Sequence, residues 1–505
     1  MAEYLIILPP PCTNSDLHMG HLAGVYIPGD VYGRYLASRG HDVKIVCGAD
    51  QNNTYTELKS KKINQSFDHT KDLYAHRIRK SLDDSKVLYQ SFPFTASKNH
   101  RQVTQQIINR LLKNNFLNAE KVEQLYCEKC EKYIFDTTVQ GKCGSCYSIA
   151  DGGLCENCVS PVFNNKLIGA IHRECGSNAV LKLTKAFTLN IKSIQNNFKY
   201  FIEHSMWDDR IKLKYSEYLS REVIENIILT YHYEHGIEVE QNSVEAKAIT
   251  IWFEAIWSCF TALIEIYGTD LEDLIKKLND PQTHLIPFMG QDTEFYYAIT
   301  VSAVLLGLGV NKVPHKMSIQ RFVKLNGMKF SSSRNHVITI DQLKEKYPVD
   351  IIRFYSISIL KSYFEDSNDF DINDLDRFYN KFKTLHAKLY SHFQHWNNKK
   401  ATFNLPEELL KRIDNYHAAM KKLDFSKVYE EIDPLIPIVT SQDSESALNV
   451  EIACYLLMIK PIMPDIAGTL GVDFYGDQWT ELSLDSISRK SVFPTFTASA
   501  NSIAI

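Results

Sequence analysis

The stretch YLIILPPPCTNSDLHMGH, Tyr4 to His21, decides how the first part of this chain is read. Its left end, Tyr4–Leu8, is a short apolar run of the kind that forms a buried strand. Pro9, Pro10 and Pro11 follow where that strand should end. His18 to Ser38 then reads as helix, with Arg39-Gly40 as its stop. Asp42–Cys47 reads as a second strand. Strand, helix and strand over so short a span make a βαβ unit, which implies a parallel sheet with a right-handed crossover. Ligands bind such sheets at the carboxyl ends of their strands. Pro9–His21 and Gly48–Thr54 both fall there.

Within that stretch, a lone histidine would be unremarkable. His18 and His21, three apart around Gly20 at the start of a helix, are less ordinary. A helix N-terminus offers N–H groups and a positive dipole end, which suit phosphate. Two imidazoles there can bind triphosphate oxygens as charge leaves the α-phosphorus. Gly20 has no side chain, so a flat adenine can pack on the backbone.

A second candidate anion site lies far downstream. Arg321 to Phe330 reads as a hairpin around Asn326-Gly327, the favoured type I′ pair. It delivers Lys329-Phe-Ser-Ser-Ser-Arg334 into a loop, where a lysine, hydroxyls and an arginine can grip pyrophosphate.

Further features bound the chain. Its 505 residues suggest about three domains. The net charge of −4 lacks the basic excess of a protein living by phosphate contacts. No apolar run approaches the ~18 residues of a membrane span, and Met-Ala-Glu-Tyr lacks a basic signal-peptide start, so a cytoplasmic protein is expected. Seven of eleven cysteines lie between Cys127 and Cys175 in close pairs, a pattern of metal binding rather than disulfides. Cys127-x-x-Cys130, Cys143-x-x-Cys146, Cys155-x-x-Cys158 and His172-x-x-Cys175 supply eight ligands, enough for two structural tetrahedral zinc sites.

Helix is expected from about 97 to 115, and residues 180–245 are expected to finish the cysteine-rich insertion. Ile249–Leu263, His284–Met289 and Asp292–Leu306 resume strand-like and helical patterns. The insertion therefore splits the sheet. From Asp350 onward the chain reads as helix after helix, ending in a polar tail, Thr495–Ile505.

The pairing of HxGH with a K-F-S-S-S-R loop some three hundred residues later resembles the class I aminoacyl-tRNA synthetases, whose signature motifs are HIGH and KMSKS. The chain looks like the methionyl type within that class. Asn14-Ser-Asp-Leu-His-Met-Gly-His21, Gly48-Ala-Asp50, Ile251-Trp252-Phe-Glu-Ala255 and Phe288-Met-Gly-Gln-Asp292 resemble its successive motifs in order and spacing. The resemblance implies an α/β fold: a Rossmann-type parallel sheet split by a zinc-knuckle insertion, then a C-terminal α-helical bundle. The implied divisions are 1–115 and 246–320 for the catalytic halves, 116–245 for the insertion, 321–385 for the KMSKS-like loop and linker, and 386–505 for the bundle.

It also implies a reaction. An amino-acid carboxylate attacks the α-phosphate of ATP, giving an aminoacyl-adenylate and pyrophosphate, with magnesium accompanying ATP. His18, His21 and Lys329 would be catalytic. Asn14, Gly20, Asp292, Ser331, Ser332 and Arg334 would bind ATP, with Asp292 on the ribose. Asp50 would take the α-ammonium. By analogy, Cys143, Cys146, Cys155 and Cys158 form one zinc site, and Cys127, Cys130, His172 and Cys175 the other.

The amino-acid pocket departs from the family pattern. Its residues here would be Pro10, Cys12, Asp50, Trp252, Ala255, Cys259, Thr293 and Tyr297. Pro10 and Cys12 replace a leucine and a tyrosine, and Ile256 a proline. Cys259 replaces a tyrosine, Thr293 an isoleucine and Tyr297 a histidine, while Trp252 is kept. A smaller or more polar amino acid than methionine is expected. Ser332 replaces the second lysine of the loop motif. The family's anticodon-reading asparagine and arginine align with Thr384 and Lys388, and its stacking tryptophan falls in Asp433-Pro-Leu-Ile-Pro437.

The ATP side is thus largely kept while the side-chain pocket and anticodon contacts change. The favoured reading is an amino-acid-adenylating ligase with a small-molecule acceptor rather than tRNA-Met. One such acceptor is an N-hydroxylated amine in a hydrazine-forming pathway, where a separate cupin partner completes the N–N bond. The alternatives are a divergent methionine–tRNA ligase and a non-catalytic synthetase-like binding module.

Overall fold

A computed structural model describes residues 2–162, 167–222, 224, 226–330, 336–362, 368–394, 402–403, 406–437, 445–469 and 482–483. The apolar run is the strand β1 (Glu3–Ile7), and Asp42–Val46 is β2. Thr283–Gly290 forms β3 and Ser318–Gln320 forms β4. All pairings are parallel and the order is β4-β3-β1-β2. Ile6 stands opposite both Ile45 and Ile286, and Phe288 opposite Ser318.

Both sheet faces are covered, which is why β1 is apolar at successive positions. Ile6, Leu8, Ile45, Ile286 and Phe288 face one core, shared with the helix Ile27–Ser38 and the C-terminal helices. Leu5, Ile7, Val46, Leu285 and Met289 face another, shared with the helices Lys98–Lys113 and Ile251–Tyr267. Gly33 lets its helix close on β2: a Cβ there would stand 2.6 Å from Ile45 Cδ1.

The insertion leaves and returns through one long antiparallel pair. Leu117–Cys127 runs against Val180–Leu189, from Leu117 opposite Leu189 to Tyr126 opposite Val180. Beyond this stem, Val139–Cys143, Ile149–Asp151 and Leu167–His172 form a small sheet bearing the metal-ligand clusters. The helices Gln195–Glu203 and Asp209–Leu219 then pack Phe198, Ile202, Ile211 and Tyr215 into the second sheet core.

The expected hairpin is present. Leu325 pairs with Met328, and Asn326 and Gly327 take φ of 50° and 78°, both positive as a type I′ turn requires. Asn368–Phe370 adds a third, parallel strand beside Val323–Leu325. The reading of unbroken helices after Asp350 misses it, because three residues carry no periodicity. Helices Val349–Ser358, Ile372–Gln394, Glu407–Lys422, Phe425–Ile432 and Glu445–Ile459 follow. Thr384 and Lys388 fall on the second of these, and their side chains lie outside the described residues. No helix among the described residues is long and apolar enough to cross a membrane.

A buried ion pair joins the helix Ile27–Ser38, which covers the sheet, to the helix Val349–Ser358. Arg353 Nη2 lies 2.5 Å from Asp30 Oδ2, and both side chains are fully buried. Arg353 Nη1 donates to the Ser85 carbonyl at 2.9 Å, and Nε donates to the Ile462 carbonyl at 2.8 Å. One side chain therefore links residues from three parts of the chain. Arg353→Met is expected to destabilise the protein by about 1–3 kcal/mol, because two buried carbonyls lose their donor while Asp30 keeps Arg34 Nε at 2.8 Å. Parallel urea denaturation of wild type and variant measures this, and coincident midpoints would refute it.

Candidate active site at the carboxyl end of the sheet

A cavity of about 630 Å³ opens at the carboxyl ends of β1, β2 and β3. Its rim begins in the loop after β1. Thr13 N donates to the Asp50 carbonyl and Asp50 N to the Pro11 carbonyl, each at 3.0 Å, so this loop is zipped to the segment after β2. The Cys12 thiol donates to Asp50 Oδ2 at 3.3 Å. Asp50 Oδ1 is buried with no partner among the described residues. Burial first, and the Glu254 carboxylate second, push the Asp50 carboxyl up to about 8. Glu254 is itself held by Asn52 Nδ2 at 2.9 Å, and His100 Nε2 lies 3.1 Å from it.

His18 and His21 lie together. Their rings stack at 3.8 Å, and Phe330 stacks on His18 at 4.4 Å. His18 Nδ1 is buried and has no partner among the described residues. Burial lowers His21 to about 4, and burial with the neighbouring His21 ring holds His18 well below its ordinary value. Both imidazoles are therefore neutral near pH 7 and meet a ligand as hydrogen-bonding groups. A Cβ on Gly20 would stand 2.9 Å from His18 Nδ1 and from Phe330 Cδ2. The surface expected to receive adenine thus carries an aromatic ring from the downstream hairpin.

Asn14, Gly20, Asp292 and Lys329 also line the cavity, as do Pro10, Cys12, Trp252, Ala255, Thr293 and Tyr297. Burial raises the Asp292 carboxyl. Cys259 lies behind this wall, buried in the second core next to Tyr297. Ser331, Ser332 and Arg334 lie outside the described residues.

Two local features were not legible in the sequence. The helix after His21 passes through a π turn over Leu22–Tyr26, and the one after Asp292 through another over Tyr296–Val301. π turns recur at functional sites because the extra residue re-aims side chains. Tyr26 and Tyr297, one from each, both line the cavity.

The insertion forms part of the cavity as well. Gln140, Asp151, Leu154, Glu156 and Arg173 line it, and Glu156 pairs with Lys329. Asp136 is buried at φ 50°, and Thr54 Oγ1 donates to it at 2.6 Å. Burial lifts the Asp136 and Asp151 carboxyls to about 6. Tyr296, stacked on Trp252 at 4.4 Å, donates its hydroxyl to the Gly153 carbonyl at 3.0 Å. A Cβ on Gly153 would collide with Asp136 Oδ1 and stand 2.6 Å from Trp252 Nε1. The Gly152-Gly153 pair was the available signal, since adjacent glycines mark close backbone approach.

The metal-ligand clusters fall into the two expected sets. Cys127, Cys130, His172 and Cys175 form one, and Cys143, Cys146, Cys155 and Cys158 the other. Within each set the ligand atoms lie within 4.8 Å of one another. Sulfur separations are 3.5 Å for Cys127–Cys175, 3.7 Å for Cys143–Cys158 and 3.5 Å for Cys146–Cys155. Zn–S bonds of about 2.3 Å give tetrahedral edges of about 3.8 Å, so both donor sets fit zinc.

A doubly covered parallel sheet, interrupted by an insertion that bears metal-ligand clusters and carrying paired histidines over its carboxyl end, defines an α/β protein with a split sheet. Residues 4–391 match the family described as tRNA synthetases class I (M), and the chain belongs to that family. It is 28% identical over 358 residues to a methionine–tRNA ligase of Flavobacterium johnsoniae, covering 70% of this chain and 50% of that one. With the enzyme of that name from Pyrococcus furiosus the identity is 27% over 376 residues, covering 71% and 52%. The chain thus spans about half the length of these relatives. Its fold is like that of Mycobacterium tuberculosis methionyl-tRNA synthetase bound by methionyl-adenylate, with a TM-score of 0.68 at 12% identity over 93% of each chain.

Proposed function

We propose that this chain is an ATP-dependent ligase that activates an amino acid as its adenylate, releasing pyrophosphate. The observation that carries this reading is one cavity uniting His18, His21, Asp50, Asp292 and Lys329 at the carboxyl end of the sheet. In-line attack on the α-phosphate asks the protein mainly to position reactants and stabilise charge. His18 and His21 donate to phosphate oxygens, with Asn14 and Gly20 beside them. Lys329 exchanges Glu156 for the β- and γ-phosphates, joined by Ser331, Ser332 and Arg334. Asp292 holds the ribose, and magnesium accompanies ATP. Zinc occupies both cysteine-rich sets in a structural role. The divisions at 115, 245, 320 and 385 remain part of this reading, as does a cytoplasmic location.

The amino acid is not methionine, and the acceptor is a small molecule such as an N-hydroxylated amine, with a separate cupin protein completing an N–N bond. Support comes from the changed pocket residues Pro10, Cys12, Thr293 and Tyr297, which line the cavity, and from the segment Asp433–Pro437, which contains no tryptophan. Trp252, kept on the cavity wall, favours the second reading of a divergent methionine–tRNA ligase. ATP–pyrophosphate exchange with each amino acid, with and without tRNA, decides between them. Exchange with methionine followed by charging of tRNA-Met would refute the first reading.

A pH dependence follows from Asp50. Its raised carboxyl is mostly protonated near pH 7 in the empty site. An α-ammonium group needs the ionised form, so binding displaces a proton. Affinity is expected to tighten by up to about tenfold per unit as pH rises toward about 8, then level off. Calorimetry across that range, with Asp50→Asn as control, measures it. A flat wild-type profile would rule it out.

A further inference from the structure

Tyr297 is 1% exposed, lines the cavity and lies in the π turn after Asp292. Its hydroxyl is buried and has no hydrogen-bond partner among the described residues. Neighbouring hydroxyls are satisfied. Tyr26 donates to the Pro9 carbonyl at 2.8 Å, Thr293 to the Gly290 carbonyl at 3.2 Å, and Tyr296 to the Gly153 carbonyl at 3.0 Å. The fold therefore has carbonyls within reach of these hydroxyls, and among the described residues it leaves the fully buried Tyr297 hydroxyl without one.

The surroundings make that phenol consequential. Pro10, Cys12, Ala255 and Ile256 give the wall a mainly apolar character, and Cys47 and Cys259 lie near Tyr297 behind it. Burial raises the Tyr297 phenol well above its ordinary value, so it is neutral and both donates and accepts. A buried hydroxyl without a partner disfavours any occupant that cannot pair with it. On the same lining Arg173 pairs with Asp151 and Lys329 with Glu156, so these cations are engaged rather than offered to a second carboxylate.

We infer that Tyr297 determines specificity by hydrogen-bonding an uncharged polar group on the substrate side chain, so that the amino acid taken carries a hydroxyl or a carboxamide. This deepens the proposed adenylation and rests on it. It gives one residue a defined part in the changed pocket, where sequence comparison shows only that several residues differ.

The test is ATP–pyrophosphate exchange by the full chain and by Tyr297→Phe, a variant that removes one oxygen and keeps the ring. Polar amino acids are paired with apolar near-isosteres: threonine with valine, serine with 2-aminobutyrate, glutamine with methionine. The wild type is expected to prefer the polar member of at least one pair by roughly 10²–10⁴ in kcat/KM. Tyr297→Phe is expected to cut that ratio by about 10- to 100-fold. A merely structural role would lower both members together and leave the ratio unchanged. Apolar preference in the wild type, or an unchanged ratio in the variant, overturns the inference. If neither protein exchanges with any amino acid, the activation reading fails, and calorimetric binding of the same pairs decides the inference alone. Equal wild-type affinity within every pair then overturns it.

Discussion

His18→Ala is expected to lower the rate of ATP–pyrophosphate exchange on the order of 10²–10³-fold. The magnitude follows from what the ring offers: a buried, unpartnered Nδ1 on the cavity wall, fixed between His21 and Phe330. A donor held in place before the reaction costs no reorganisation when phosphate charge develops. The loss should therefore appear mainly in kcat, with a smaller rise in the KM for ATP. His18→Asn, which keeps a donor without the stacked ring, should recover part of the rate. A variant within threefold of wild type would remove His18 from the chemistry.

Cys155→Ser is expected to halve the metal content, from two zinc ions per chain to one, and to impair exchange at a distance. Structural zinc contributes about 10–16 kcal/mol of folding free energy in small cysteine-rich units, so a set missing one thiolate loses its local fold. Gly153 and Glu156 flank Cys155, and both meet the active-site wall: Gly153 through Tyr296 and Trp252, Glu156 through Lys329. Loosening that segment should raise the KM for the amino acid by on the order of tenfold while the sheet stays folded. Elemental analysis and exchange kinetics on the same preparation measure both effects. Full activity with one zinc per chain would show that this segment does not shape the cavity.

Some of this arrangement was open to sequence reading, for identifiable reasons. β1, β2, β3 and the helices beginning near His18, Ser97 and Ile251 follow from apolar runs and stop signals spanning several residues. The four-by-four division of ligands follows from C-x-x-C spacing with the family resemblance, and the ligand clusters agree with it. The Asn326-Gly327 turn was visible because its chemistry is local.

The rest depended on tertiary contact. Asn368–Phe370 is a strand only because Val323–Leu325 lies beside it. The π turns that aim Tyr26 and Tyr297 leave no periodic trace, since one added residue barely disturbs a helical pattern. Asp151, Glu156 and Arg173 lie between metal ligands, where nothing in the spacing marks them as cavity residues. They reach the cavity because the stem of Leu117–Cys127 and Val180–Leu189 carries the insertion back over the sheet.

The position of β1 has a consequence for how this protein is made. One edge of β1 pairs with β2, which leaves the ribosome soon after it. The other waits for β3, which begins about 240 residues after β2 ends. At about 5–20 residues per second, that wait is roughly 12–50 s. Throughout it, the backbone of Tyr4–Ile7 presents an unsatisfied apolar edge able to pair with any neighbouring nascent chain. A central strand of the finished sheet thus waits for its second partner during synthesis, and shielding of that edge is expected to raise the yield of folded protein.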